Sequence, residues 1–98
     1  MTTEKIVNGT TVVLKIVGRV SVSTAPELEA AVKECIADAQ ELVLDCSALE
    51  YVSSAGLRVL LKAQKQMSTK GSMKLIDVSE SIMEVLDITG FADFLTIE

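Results

Sequence analysis

Short runs of β-branched residues alternate along this chain with segments in which apolar residues recur at helical spacing. The runs 5–7 and 11–17 flank Asn8-Gly9, a dipeptide that favours the tight turn of an antiparallel β-hairpin. Further strands are predicted at three later apolar runs, 41–45, 73–78 and 94–97. The chain is therefore expected to combine a sheet with helices that connect its strands.

Helices are predicted where capping residues precede an apolar stripe of helical period, over 25–39, 54–70 and 80–89. The first helix opens with the form of a capping box, in which Thr24 would accept a hydrogen bond from the amide of Glu27. Gly71 has the position of the glycine that commonly follows the last helical residue. Ser79 can cap the third helix, and Gly90 ends it.

The predicted fold is a single α/β domain over residues 1–98, with element order β-β-α-β-α-β-α-β. The hairpin makes the first strand pair antiparallel, whereas strands joined through helices run parallel, so the sheet is mixed. The run 41–45 is continuous and apolar, as in a strand buried on both faces, so we expect Leu44 on an interior strand. An apolar content of 49% is enough for a compact core of aliphatic side chains.

Charge and hydropathy exclude several classes of partner. The 14 acids outnumber the 9 bases, and the formal charge of −5 repels phosphate backbones and anionic lipid headgroups. The first residues form neither a basic nor an apolar leader region, and no stretch approaches the ~18 apolar residues of a membrane span. We expect a cytoplasmic protein with no nucleic-acid partner and no direct membrane insertion.

The inventory of reactive side chains argues against catalysis. No histidine is present, which removes the usual general base and the usual metal ligand. The glycines form no phosphate-binding loop, and Cys35 and Cys46 lack a second ligand at metal-binding spacing. An enzyme that used Ser54 as its nucleophile would have no histidine to activate it. We therefore predict a non-enzymatic protein with no metal and no cofactor.

A run of small residues, Ser53-Ser54-Ala55-Gly56, follows the predicted interior strand and opens the second helix. With so little side-chain bulk, this segment allows another surface to approach closely. The chain resembles the STAS domain, the family of bacterial anti-sigma-factor antagonists, over nearly its whole length. The resemblance is carried by the segments 18–20, 24–28, 44–47, 51–57 and 89–91, and most specifically by the Ser-x-Gly-Leu pattern at 54–57.

The resemblance implies a phosphorylation switch. In such antagonists the serine two positions before the glycine, here Ser54, is phosphorylated by a partner kinase that is also the anti-sigma factor. The unphosphorylated form binds that kinase and frees the sigma factor. Ser53 and Ser21 stand where the family commonly has Asp. These two departures favour an alternative, a STAS scaffold or subunit of a stress-signalling or lipid-transport assembly that docks a protein without phosphorylation.

The candidate partner-binding residues are Ser21, Ser53, Ser54, Ala55, Gly56, Arg58 and Lys62. Most of them also have a purely structural interpretation. Ser53 and Ser54 are at a position where serine commonly caps a helix, and Gly56 fits either close core packing or partner docking. Arg58, Lys62 and Lys65 form one stripe that is either a solvated face or a surface for an acidic partner. The sequence does not determine the oligomeric state.

Overall fold

The computed structural model describes all 98 residues and contains a mixed sheet with three helices, as the sequence predicts, although the sheet has four strands rather than the five predicted. The strands are β1 (Thr2–Asn8), β2 (Thr11–Val20), β3 (Glu41–Val52) and β4 (Ser72–Ile76), adjacent in that order. The helices are α1 (Ala25–Asp38), α2 (Ser54–Ser68) and α3 (Glu80–Thr89). The β1–β2 pair is antiparallel, and β2, β3 and β4 run parallel. None of the three helices combines the length and the apolar character that crossing a bilayer requires.

The helices form one layer over one face of the sheet. Each crossover steps in the same direction across the sheet, and right-handed crossovers then place the connecting helices on the same side. The main core lies between the two layers and includes Leu14, Leu44 and Leu75, which are paired along one row of the sheet. Leu44 is fully buried, so the prediction of an interior strand is confirmed. Val43, on the opposite face, does not belong to this core.

Two turn predictions need correction. Asn8 pairs with Thr11 at the end of the hairpin, so the two-residue turn is Gly9-Thr10 rather than Asn8-Gly9. The positive φ of +64° falls on Gly9, the first central residue of the turn, where glycine carries little strain. Gly71 is not among the glycines with positive φ. Its role is steric, because a Cβ there would overlap the carbonyl oxygen of Gln40.

The predicted capping box of α1 is wrong. Thr24 is the N-cap residue, but its side chain makes no capping bond to the helix. Its hydroxyl instead accepts a hydrogen bond from the backbone amide of Ser21 at 2.8 Å. The amide of Glu27 donates to the backbone carbonyl of Thr24 at 3.0 Å. The hydroxyl is therefore used to shape the loop that precedes the helix.

Two strands also differ from prediction, namely β3 and the predicted last strand. β3 continues to Val52, far beyond the predicted end at Asp45, with two shifts of register against β2. The predicted last strand at 94–97 is reduced to one bridge between Ile97 and Leu75. Two backbone bonds hold that bridge: Leu75 donates to Thr96 at 2.8 Å, and Glu98 donates to Leu75 at 2.9 Å.

Candidate functional site

The two serines at the start of α2 have different environments. Ser53 is the N-cap residue, with extended backbone, and its hydroxyl accepts a hydrogen bond from the Gly56 amide at 3.2 Å. Its own amide donates to the carbonyl of Val20 at 2.8 Å, and only 6% of the residue is exposed. Ser54 is the first helical residue, is exposed, and takes no part in the capping bond. Ser54 is therefore the serine that an approaching protein can reach.

Gly56 lets the first turn of α2 approach the sheet closely. A Cβ at this position would come within 2.7 Å of a Val52 methyl carbon and 2.8 Å of a Val20 methyl carbon. Real Cβ atoms essentially never make such short contacts, and β-branched valines have few alternative rotamers. Gly56 is buried, so its absent side chain faces the core. It contributes to the site by setting the height of Ser54 and Ala55 above the sheet.

The loop between β2 and α1 lies next to this helix start, since β2 ends at Val20. The Ser21 hydroxyl is 2.9 Å from the Ser23 hydroxyl and 3.1 Å from the Thr24 hydroxyl. The Ser21 carbonyl accepts from the Ala25 amide at 2.9 Å. These bonds fix the loop while leaving Val22 70% exposed. A half-buried Ser21 thus supports a rigid loop with an apolar side chain on its outside.

A shallow groove of about 230 Å³ runs between α2 and the start of α1 with its preceding loop, lined by Val22, Ala25, Pro26, Glu29, Ala55 and Val59. Most of its lining is apolar, and Ala55, the residue after Ser54, forms part of its wall. Sequence reasoning included Ala55 but not the groove. The available signal was Val22, an isolated apolar residue in a serine-rich loop. The groove supplies an apolar surface directly beside the exposed serine.

The basic stripe on α2 is only partly free. Arg58, Lys62 and Lys65 are all exposed. Lys62 pairs with Glu29 of α1, with 3.6 Å between the ammonium nitrogen and a carboxylate oxygen. Arg58 and Lys65 make no ion pair within the chain. Arg58, one turn beyond Ser54, is therefore the cation best placed to meet an acidic group of a docked protein.

A second cation lies at the same end of the sheet. Arg19 stacks over the ring of Tyr51 at 4.5 Å, and the two residues pair directly between β2 and β3. The next pair, Val20 with Val52, is buried in the core. Because side chains alternate along a strand, Arg19 and Tyr51 lie on the face opposite the helices. Sequence analysis placed Arg19 within the resemblance but did not identify this stacked pair.

The side chains at the site can make contacts and hydrogen bonds. No group of three or more His, Cys, Asp or Glu side chains is arranged to hold a metal ion. Burial raises the pKa of the Cys46 thiol to about 12, so at neutral pH it remains protonated. A protonated thiol is neither a good nucleophile nor a good metal ligand.

Of the residues selected from the sequence, Ser21, Ser53, Ser54, Ala55 and Gly56 lie together at the carboxyl ends of β2 and β3. Arg58 and Lys62 follow one and two turns along α2. The mixed sheet with one layer of helices is shared with solved anti-sigma factor antagonists. A solved antagonist from Mycobacterium paratuberculosis superposes with a TM-score of 0.88 at 25% identity, covering 98% of this chain and 83% of that one.

The chain belongs to the STAS domain family, whose match covers residues 2–98. BtrV of Bordetella bronchiseptica, described as a candidate anti-sigma factor antagonist, is 37% identical over 76 residues, or 76% of this chain and 66% of that protein. This chain thus spans about two thirds of that relative's length. The anti-sigma-B factor antagonist of Bacillus subtilis is 29% identical over 85 residues, covering 86% of this chain and 78% of that protein.

Proposed function

We propose that this chain is an anti-sigma-factor antagonist that binds an anti-sigma factor with serine protein kinase activity and is switched off by phosphorylation of Ser54. Two relatives with antagonist names support the partner class. The observation that carries the switch is the exposure of Ser54 beside a Ser53 that is buried and committed to capping. Nucleotide and magnesium belong to the partner kinase in this proposal, and the complex forms in the cytoplasm.

The site can accept a phosphate without unfolding. Phosphorylation adds about −1.5 to −2 charges at neutral pH. The positive end of the helix dipole and the unpaired amides of the first turn favour negative charge at Ser54. The same group is bulky, and the surface beside it is made of small side chains such as Ala55. The phosphate would therefore block close docking while the domain keeps its fold.

The test uses three single variants and the parent. Ser54→Asp should bind the kinase partner more weakly, and Ser54→Ala should bind but not be released when ATP is added. Ser53→Ala should remain switchable and lose about 1 kcal/mol of stability through its missing cap. Mass spectrometry after incubation with kinase and ATP should find phosphate on Ser54. Phosphate on Ser53 alone, or full affinity of Ser54→Asp, would contradict the switch.

The second candidate is a STAS scaffold or subunit of a stress-signalling or lipid-transport assembly that docks a protein without phosphorylation. It is favoured by the uncharged hydroxyls of Ser21 and Ser53, which are occupied in local hydrogen bonds at the site. The two functions predict different responses to ATP. Partner release that requires ATP and Ser54 identifies the switch, whereas a complex indifferent to both identifies the scaffold.

A further inference from the structure

The two edge strands of the sheet, β1 and β4, differ in whether their outer backbone groups are hydrogen-bonded within the chain. At the β4 edge, the amide and carbonyl of Leu75 are bonded to the C-terminal segment through Glu98 and Thr96. At the β1 edge, no segment of the chain pairs with the outer side of Thr2–Asn8. An unpaired strand edge exposes a row of amides and carbonyls that can pair with another strand.

The β1 edge lacks several of the features that usually protect an exposed strand. It has seven residues, no proline, and a register with β2 that contains no bulge. Its one cation, Lys5, is folded back onto α1, where its ammonium group lies 3.1 Å from the Asp38 carboxylate. Ile6 and Val7 are 58% and 56% exposed. The strand therefore combines free backbone groups with apolar side chains.

We propose that β1 is a self-association edge, where it pairs antiparallel with β1 of a second copy of this chain. The hairpin fixes which backbone groups are available. Asn8 and Thr11 close a two-residue turn and form a hydrogen-bonded pair, so hydrogen bonds to β2 come from the even-numbered residues of β1. The amides and carbonyls of Thr3, Lys5 and Val7 then face outwards.

Side-chain charge excludes two registers of the pair, and of the remaining ones the register centred on Ile6 pairs the longest stretch of β1, residues 4–8. A two-fold axis at Glu4 or at Lys5 would place like charges directly opposite each other, which destabilises a strand pair. An axis at Ile6 places Ile6 opposite Ile6, Lys5 opposite Val7, and Glu4 opposite Asn8. This register has no like-charge pair and covers both exposed apolar residues. It also hydrogen-bonds Lys5 with Val7, two of the residues whose backbone groups face outwards.

The second copy is the occupant that the observations favour, because β1 is complementary to itself in this register. One pair of short strands buries less than the ~1,200 Å² typical of stable interfaces, so the dimer is expected to be weak and concentration-dependent. Each copy carries a charge of −5, so added salt should strengthen the association by screening their repulsion. Ser54 lies two strands away from this edge and stays accessible in the dimer.

Sedimentation velocity of the full chain over increasing concentration tests the association. The average mass should rise toward that of two chains, and it should rise further at higher salt. Ile6→Lys, which places two cations opposite each other, should abolish the rise. Ile88→Lys is the matched control, since Ile88 is an 80% exposed residue of α3, and this variant should associate like the parent. A parent that stays monomeric, or an Ile6→Lys variant that still dimerises, overturns the proposal.

Cross-linking tests the register independently. In the proposed pair the two Ile6 residues are not hydrogen-bonded to each other, and their Cα atoms are roughly 4.5 Å apart, within the range that a disulfide spans. Ile6→Cys should therefore form covalent dimers under mild oxidation, while the native Cys35 and Cys46 remain buried. Glu4→Cys is the control, because the two Glu4 positions lie roughly 13 Å apart. Equal cross-linking of both variants overturns the register.

A partner segment could pair with the same edge instead. Amide exchange distinguishes this occupant, because Thr3, Lys5 and Val7 would become protected only when the proposed kinase partner is added. Protection that depends on the partner and not on the concentration of this chain overturns the proposal of a second copy. Protection that grows with concentration in the absence of any partner supports it.

Discussion

Neighbouring side chains at a helix start can be assigned to separate tasks by backbone geometry alone. Ser53 has φ −78° and ψ 169°, the extended conformation of an N-cap residue, which turns its hydroxyl back over the first helical turn. Ser54 already belongs to the helix and lies on its exposed surface. The cap and the proposed phosphorylation site are thus different residues, so modification of Ser54 leaves the capping bond to Gly56 in place.

Replacing Gly56 tests the close contact between α2 and the sheet. Gly56→Ala should destabilise the domain by roughly 1–3 kcal/mol through overpacking against Val20 and Val52. This loss outweighs the gain of about 1 kcal/mol that alanine brings to a helix interior. Chemical denaturation measures the difference in the free energy of unfolding between Gly56→Ala and the parent. In a Val20→Ala background the penalty should shrink, and a Gly56→Ala single variant as stable as the parent would contradict the packing argument.

The roles of individual glycines show the limit of sequence reasoning at this scale. Gly56 could be identified as unusual within a helix, but Val20, one of the residues that exclude its side chain, is distant in sequence. Gly71 was predicted as the glycine that follows the last helical residue, whereas the need for glycine there comes from the close approach of Gln40. Local propensity indicates where glycine is needed. The neighbour that makes it necessary is set by tertiary packing.

Among the elements, β3 differs most from its prediction. The sequence beyond Asp45 turns polar and loses strict alternation, which indicated a loop, yet the strand continues to Val52. Two register shifts against β2 allow this, because each bulge adds a residue without ending the pair. At the first bulge the Asp45 carboxylate accepts a hydrogen bond from the Ser47 amide at 2.9 Å. A bulge depends on such a local acceptor, and the pattern of apolar residues does not reveal it.

The role of Asp45 in the bulge predicts a stability change that depends on pH. Asp45→Ala should cost about 1 kcal/mol at neutral pH, and Asp45→Asn, which keeps an acceptor oxygen, should cost less. The hydrogen bond from Ser47 lowers the pKa of Asp45 in the folded state. Its contribution is therefore complete above the ordinary value of about 3.9 and is lost as the pH falls through the folded-state pKa.

Chemical denaturation of the parent and of Asp45→Ala, compared at neutral pH and below pH ~4, measures this dependence. The stability gap between them should narrow on acidification, because protonation removes the charge that strengthens the bond to Ser47. A gap that widens as the pH falls would contradict the assigned role of the carboxylate.

The basic stripe of α2 predicts different effects for cations that look equivalent in sequence. Arg58→Glu should weaken binding of the proposed partner and reduce the salt dependence of that binding, since Arg58 is unpaired and close to Ser54. Lys65→Glu, on the same stripe but nearly two turns further along, is the matched control and should change affinity less. Reversal at Lys62 is less informative, because it would also oppose Glu29. If the parent and Arg58→Glu bind the partner with equal affinity, the stripe is a solvent-exposed face and not part of the interface.

For the whole molecule, the order of strands and helices could be predicted from the sequence, whereas the way the sheet ends at β4 could not. Helical and strand periods established the order of elements, and right-handed crossovers then place all three helices in one layer. The segment 94–97 has strand propensity, but only Ile97 reaches β4, and the Thr96 amide is bound by the Gln64 side chain at 3.1 Å. How a sheet ends depends on such long-range contacts, which no local pattern contains.

Amide exchange across the sheet should reflect this architecture. The amides of Leu42, Val43 and Leu44 lie on a strand paired on both sides, so they should exchange only through near-global unfolding. In dilute protein the outward amides of β1 should exchange faster by orders of magnitude, because they have no partner within the chain. Exchange mass spectrometry of the full chain measures both. Slow exchange at β1 in dilute protein, or rapid exchange at Leu42 to Leu44, would contradict the assignment of β3 to the interior and β1 to the open edge.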